Sequence, residues 1–155
     1  MSKVLIAYYS RSGITRRVAE KIKARFKCDI EEIESVKDRS GMGGYLLCGK
    51  EATKKILADV GPTNKNPVNY DLVIVGTPVW AWTVSSPIRT YLTQNQGKIK
   101  KAAYFCTLGG SGAEKALAEM EKLSKVKPVA TMTVLDKKVY ECDKEVEEFL
   151  QKIKS

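Results

Sequence analysis

Residues 4–15 read VLIAYYSRSGIT, an apolar run that passes directly into a hydroxyl-rich turn. The continuous apolar stretch from Val4 to Tyr9 predicts a strand that is buried on both faces. From Gly13 onwards apolar residues recur every fourth position as far as Phe26, which is the period of an amphipathic helix. A buried strand followed at once by such a helix is typical of a parallel α/β sheet.

The rest of the chain repeats this alternation. Further strands are predicted at residues 29–34, 72–75, 102–108 and 128–135. Helices are predicted at residues 45–60, from Pro87, at 112–123 and at 143–153, with Asp143 as an N-cap. A glycine-rich loop is expected at 40–44, and Gly76-Thr77-Pro78 is expected to close the third strand. Five strands and five helices, joined by right-handed crossovers, predict a doubly wound parallel sheet in one α/β domain over residues 1–155.

Composition narrows the class of protein. With 155 residues, 43% of them hydrophobic, the chain can build one core. Its apolar runs are too short to span a bilayer, and we identify no signal peptide, so we expect a cytoplasmic location and no membrane association. The absence of His excludes Ser-His-Asp and Cys-His nucleophiles. The four cysteines have no C-x-x-C spacing, so we expect buried, reduced thiols and no metal site.

The net charge of +9 favours an acidic partner: a phosphorylated ligand, an acidic protein or nucleic acid. Zinc-finger and RNA-binding signatures are missing, so we do not expect nucleic acid. The first helix carries a basic stripe that is either a solvated face or a docking surface for an acidic redox protein. This stripe consists of Arg16, Arg17, Lys21 and Arg25.

In a doubly wound sheet, ligands bind beyond the carboxyl ends of the strands where the strand order switches. The loop after the first strand offers three hydroxyls, a glycine and a helix N-terminus, which together suit one phosphate group. It lacks the spacing of a dinucleotide or nucleoside-triphosphate loop, and its alternative role is a Ser/Thr-rich N-cap without a ligand. Its candidate binding residues are Ser10, Arg11, Ser12, Gly13, Ile14 and Thr15.

Residues 4–15 resemble the opening strand and FMN phosphate loop of flavodoxin-like proteins, which has the form S/T-x-S/T-G-x-T. Residues 76–80 resemble the loop that flavodoxins and related NAD(P)H-dependent FMN reductases lay against the isoalloxazine ring, and residues 107–112 fall where a third flavin loop is expected. The resemblance covers essentially the whole chain. It implies a flavodoxin-like sheet of order 2-1-3-4-5, with FMN at the switch point carrying the chemistry in place of catalytic side chains.

The second loop places two indoles around one alanine. Either indole can supply an apolar face to a flat ring, so we expect at least one beside the flavin. The alternative is that both tryptophans belong to the core or to an interface. The candidate cofactor-binding residues are Thr77, Pro78, Val79, Trp80, Ala81 and Trp82.

The third loop is rich in glycine. Its N–H groups either turn towards flavin oxygens or form a plain strand-to-helix turn. Electron-carrier flavodoxins typically have an aromatic ring here, and its absence predicts an open flavin face that admits a nicotinamide or a quinone. The candidates are Thr107, Gly109, Gly110, Ser111 and Gly112.

The charge of the three loops also departs from that of acidic flavodoxins. Segments 9–15, 77–85 and 107–113 contain Arg11 and no Asp or Glu. Arg11 either stabilises negative charge at N1 of the reduced flavin, which favours two-electron chemistry, or contacts the phosphate or solvent.

The expected function is that of an FMN-binding redox protein, most simply an NAD(P)H- or quinone-linked oxidoreductase. A one-electron carrier with a redox partner protein and a non-catalytic binding module remain as alternatives. Residues 44–50 satisfy G-x-x-x-x-G-K but are followed by Glu51, so we do not expect nucleoside-triphosphate binding there. Residues 39–45 are expected to form a flap over the flavin, a homodimer contact or an ordinary helix start.

Overall fold

The computed structural model describes residues 3–155, which form a parallel sheet covered by helices on both faces. The strands are β1 Val4–Tyr8, β2 Asp29–Glu32, β3 Leu72–Trp80, β4 Thr83–Val84, β5 Ala102–Leu108 and β6 Thr131–Leu135. The helices are α1 Ile14–Arg25, α2 Gly41–Thr53, α3 Ser86–Gln94, α4 Ala113–Ser124 and α5 Asp143–Lys154. None of the helices formed by these residues has both the length and the apolar character needed to cross a membrane.

The sheet has the order β2-β1-β3-β5-β6, and all of these neighbours pair in parallel. The two-residue strand β4 stands outside this path and pairs with the end of β3 in an antiparallel hairpin. Without β4, the order is the predicted 2-1-3-4-5. The doubly wound fold class is therefore confirmed, and the switch in strand order lies between β1 and β3.

Two apolar layers hold the helices against the sheet. On one face α1 and α5 bury Ile22 and Phe149. On the other face α2, α3 and α4 pack with residues such as Ile88 and Met120. All four cysteines are free thiols, of which three are buried and Cys28 is partly buried.

The third strand is longer than predicted. It runs through Gly76-Thr77-Pro78 to Trp80 because β5 continues to pair with it as far as Thr107. The ring of Phe105 lies directly where a Cβ of Gly76 would stand. Gly76 therefore allows close packing in a strand, and its interpretation as the end of the strand was wrong.

The second helix was also predicted with the wrong bounds. Residues 41–44, expected as a loop, form its first turn, and it ends at Thr53, well before residue 60. The P-loop-like segment 44–50 lies inside this helix, so its backbone cannot form a phosphate cradle. In α5 the N-cap is Cys142, and Asp143 is the first helical residue.

Candidate functional site

A cavity of about 760 Å³ opens at the carboxyl ends of the central strands, as the switch-point rule predicts. Thirteen of the seventeen candidate residues line it: Arg11, Ser12, Ile14, Thr15, Pro78, Val79, Trp80, Ala81, Trp82, Thr107, Gly109, Gly110 and Ser111. The remaining four, which are not among the lining residues, are Ser10, Gly13, Thr77 and Gly112. All three predicted loops therefore meet at one cavity.

The first loop is held in shape by its own hydroxyls. Gly13 has a φ of 95° and donates its N–H to Ser10 Oγ at 3.0 Å. Thr15 Oγ1 lies 2.8 Å from Thr107 Oγ1 in a buried hydrogen bond that joins the first and third loops. Ser12 is exposed and lines the cavity. The first turn of α1 adds N–H groups without an intrahelical acceptor, so this end of the cavity can hold an anion.

The second loop is a hairpin whose base is fixed from below. Thr77 is fully buried, and its Oγ1 lies 2.9 Å from Ser85 Oγ and accepts the N–H of Ser85 at 3.1 Å. Trp80 pairs with Thr83, so Ala81 and Trp82 form the two-residue turn. Thr77 therefore positions the hairpin from behind the cavity wall.

The two indoles occupy different environments. Trp80 is nearly buried and meets the Tyr9 ring edge to face at 5.5 Å. Trp82 is 62% exposed at the hairpin tip, and its Nε1 donates to Ser111 Oγ at 3.0 Å. A Cβ on Gly112 would lie 2.7 Å from Trp82 Cα, so the third loop needs glycine there to seat the hairpin. Both indoles reach the cavity, and Trp82 is the accessible one.

Arg11 makes contacts within the protein that the sequence did not predict. Its Nε and Nη2 donate to the carbonyls of Arg39 and Gly41 at 2.8 and 2.9 Å. The guanidinium also lies 5.7 Å from the centre of the Tyr45 ring. Arg11 thus ties the first loop to the start of α2 and still lines the cavity.

A buried ion pair supports α2 beneath the cavity. Arg39 Nη2 lies 2.7 Å from Glu51 Oε1, and each side chain is only 3% exposed. Ser86 Oγ donates to the same carboxylate at 2.8 Å, and the Arg39 guanidinium stacks 5.4 Å from the Trp80 ring. Burial opposes ionisation of Glu51, but the hydrogen bonds from Ser86 and Arg39 outweigh it and hold its pKa below the usual range.

Seven residues outside the set of candidate binding residues also line the cavity. Five belong to α2, Leu108 ends β5, and one carboxyl group lies just after β6. Burial raises the pKa of that carboxyl group, which belongs to Asp136. The switch-point rule would have pointed to Asp136, since it directly follows a strand. Of the segment 39–45, expected as a flap, a homodimer contact or a helix start, residues 41–45 form the start of α2 and Tyr45 lines the cavity, whereas no sequence pattern placed the rest of α2 there. These seven residues are Tyr45, Leu46, Cys48, Gly49, Lys50, Leu108 and Asp136.

A family model for flavodoxin matches residues 50–152, about two thirds of the chain. No curated protein matches the chain. A flavoprotein from Lactobacillus acidophilus NCFM, solved in complex with FMN, is 24% identical over 97% of this chain and 99% of its own, with a TM-score of 0.75. The apo-form of the flavoprotein from the same organism is 26% identical over 91% and 97%, with a TM-score of 0.65. An NADH:FMN oxidoreductase in its apo form is 15% identical over 99% and 90%, with a TM-score of 0.54.

The structural likenesses establish a shared fold, and the family match extends over more than half of the residues. The order β2-β1-β3-β5-β6 and the cavity at its switch point agree with that match. The chain belongs to the flavodoxin family.

Proposed function

We propose that this protein binds FMN in the switch-point cavity and acts as an NAD(P)H- or quinone-linked oxidoreductase. The observation that carries the proposal is that one cavity joins the anion-binding first loop to the two-indole hairpin. Phosphate at one end and a flat aromatic ring at the other are the two chemically distinct parts of FMN. Membership of the flavodoxin family supports the same cofactor.

The residues present fit each part of FMN. Ser12 and the start of α1 offer hydroxyl and N–H donors to the phosphate. Trp80 and Trp82 offer apolar surface to the ring, and the exposed third loop offers backbone N–H groups to its oxygens. The bound flavin would supply the redox chemistry, and the protein would position it and restrict access to it.

The open third loop supports a two-electron role. Gly109 and Gly110 are exposed and carry no side chain, and among the described residues no atom other than those of their chain neighbours lies within 4 Å of their Cβ positions. Such an opening allows a nicotinamide or a quinone to approach a bound ring in the close, aligned geometry that hydride transfer requires.

A one-electron carrier is the second candidate, and Asp136 favours it. The three loops are free of carboxylates, but the cavity as a whole is not, because Asp136 forms part of its wall. A carboxylate there would disfavour a fully reduced, anionic flavin, which is the effect expected in an electron carrier.

The test begins with purification without added flavin, followed by identification of any chromophore released on denaturation. We expect FMN, and we expect NADPH or NADH to bleach the bound flavin under anaerobic conditions. The carrier function is supported instead if NADPH and NADH do not reduce the bound FMN, quinones do not reoxidise it, and a one-electron-reduced form accumulates on titration. Failure to bind FMN even on reconstitution would leave a non-catalytic module.

A further inference from the structure

Two exposed aromatic side chains line the cavity from different elements. Tyr45 on α2 is 63% exposed and Trp82 on the hairpin is 62% exposed, and both line the cavity. Leu46, next to Tyr45, is 64% exposed and also lines it. Large apolar side chains grouped around a cavity mark a place where a ligand is covered.

Both rings are already held in position. Tyr45 lies against the Arg11 guanidinium, which is itself fixed by two backbone carbonyls. Trp82 is fixed by its hydrogen bond to Ser111 and by its contact with Gly112. A ligand that contacts these rings would therefore lose little binding free energy to ordering them.

One cation accompanies this apolar rim. Lys50 lines the cavity, is exposed, and makes no salt bridge within residues 3–155. It lies nine residues beyond Gly41 along α2, roughly 14 Å at the helical rise of 1.5 Å per residue. Since Gly41 contacts the first loop through Arg11, Lys50 lies towards the opposite end of α2 from the phosphate site.

We propose that Tyr45, Leu46, Lys50 and Trp82 form a second binding site at the cavity mouth, for a planar aromatic molecule that carries an anionic group. The inference rests on the proposed binding of FMN, which would fill the deeper part of the cavity. The aromatic and aliphatic side chains bury the plane of the molecule, and the Lys50 ammonium selects the anion. For the proposed oxidoreductase, this site implies that an anionic aromatic substrate binds more tightly than its neutral analogue.

The test uses the FMN-loaded protein and two probes of nearly identical shape, naphthalene-2-sulfonate and neutral naphthalene-2-sulfonamide. Binding is measured by equilibrium dialysis and by the change in flavin absorbance. We expect the sulfonate to bind about fivefold more tightly at low salt, the preference expected from one partly exposed charge pair. This preference should disappear in high salt, because the Lys50 charge is exposed.

Lysine variants separate the effect of the Lys50 charge from the effect of losing any lysine, and apolar variants test the contact with the ring. Lys50→Gln should remove the preference for the sulfonate and leave sulfonamide binding unchanged, and Lys50→Arg should retain it. Lys54→Gln removes the same charge one turn further on, at a residue that does not line the cavity, and should behave as the native protein. Leu46→Ala and Tyr45→Leu should each weaken both probes several-fold.

The proposal is overturned if the FMN-loaded protein binds neither probe, binds both equally, or keeps the preference in Lys50→Gln. Failure to bind FMN is a different result, since it removes the proposed cofactor and is recorded before any probe is added.

Discussion

The three hydroxyls of the first loop have different tasks. Ser10 accepts the Gly13 N–H, and Thr15 is paired with Thr107, whereas Ser12 is exposed at the cavity. A hydroxyl that donates to a phosphate makes a charge-assisted hydrogen bond worth about 1.5–3 kcal/mol. Ser12 is therefore the residue whose loss should affect phosphate binding most selectively.

We expect Ser12→Ala to weaken FMN binding at least tenfold and to leave riboflavin binding unchanged, because riboflavin lacks the phosphate. Fluorescence titration of the apoprotein with each flavin measures both affinities. Ser10→Ala is the comparison variant: it removes the bond that shapes the loop, and should also lower the midpoint of thermal unfolding. Equal losses for FMN and riboflavin in Ser12→Ala would contradict a phosphate contact.

At the scale of elements, α2 is the least conventional helix. Four of its thirteen residues are glycine, which disfavours a helix by up to about 1 kcal/mol each. Yet two adjacent glycines differ in their surroundings. A Cβ on Gly43 would meet no atom of another part of the described chain within 4 Å, whereas a Cβ on Gly44 would clash with the backbone carbonyl carbon of Arg39.

These surroundings predict opposite effects of one substitution. Gly43→Ala should raise the free energy of unfolding by about 0.5–1 kcal/mol, because alanine reduces the entropy of the unfolded chain and favours the helix. Gly44→Ala should lower it, because its methyl group displaces the Arg39 backbone. Urea unfolding of the two variants provides the comparison, and a stabilised Gly44→Ala would contradict the close contact.

The Arg39–Glu51 pair anchors α2 from below. Glu51→Ala should lower the free energy of unfolding by about 3–5 kcal/mol, because it leaves the buried Arg39 without its counter-ion. An Arg39→Met, Glu51→Met double variant should recover part of this loss by removing both charges. Chemical unfolding measures these differences, and a Glu51→Ala protein of native stability would show that the pair is not needed.

The pH dependence of this pair follows from the lowered pKa of Glu51. The unfolded chain binds its proton more readily, so the stabilisation is present above the ordinary carboxyl pKa and is lost as pH falls through the folded value. The stability difference between native protein and the double Met variant should therefore shift in favour of the variant on acidification.

The elements that followed local pattern were predicted well, and those that depend on distant partners were not. Strand β5 has the predicted bounds of 102–108, because a continuous apolar run leaves little alternative. The extension of β3 depends on pairing with β5 and on Phe105 above Gly76, neither of which is visible in residues 72–80. The first turn of α2 depends on Arg11, thirty residues earlier. The candidate loops could thus be found from strand order, but the part of the α2 lining beyond Tyr45 could not.

At the scale of the whole molecule, the basic face of α1 is largely neutralised within the chain. Arg16 pairs with Glu32, and Lys21 and Arg25 both pair with Asp143. Arg17 stacks on Tyr140 at 4.5 Å. These contacts favour a solvated face for the stripe, and its docking of an acidic protein stays a prediction.

Both core layers share one sheet, so we expect the molecule to unfold in a single transition. FMN at one hundred times its dissociation constant should raise the free energy of unfolding by about 2.7 kcal/mol, since only the folded chain forms the cavity. Thermal unfolding followed by far- and near-ultraviolet circular dichroism tests this, with riboflavin as the control that lacks the phosphate. Two separated transitions would contradict a single domain.

The hairpin tip has a consequence for laboratory evolution of this protein. Ala81 and Trp82 have φ values of 50° and 63°, a conformation that two-residue turns usually assign to asparagine and glycine. Selection of a variant library for thermal tolerance alone should enrich Ala81→Gly, because glycine relieves that backbone strain. Such a variant would unfold at a higher temperature, but glycine would leave the Trp82 indole less fixed in orientation. A screen for thermal stability should therefore be paired with a screen for ligand selectivity.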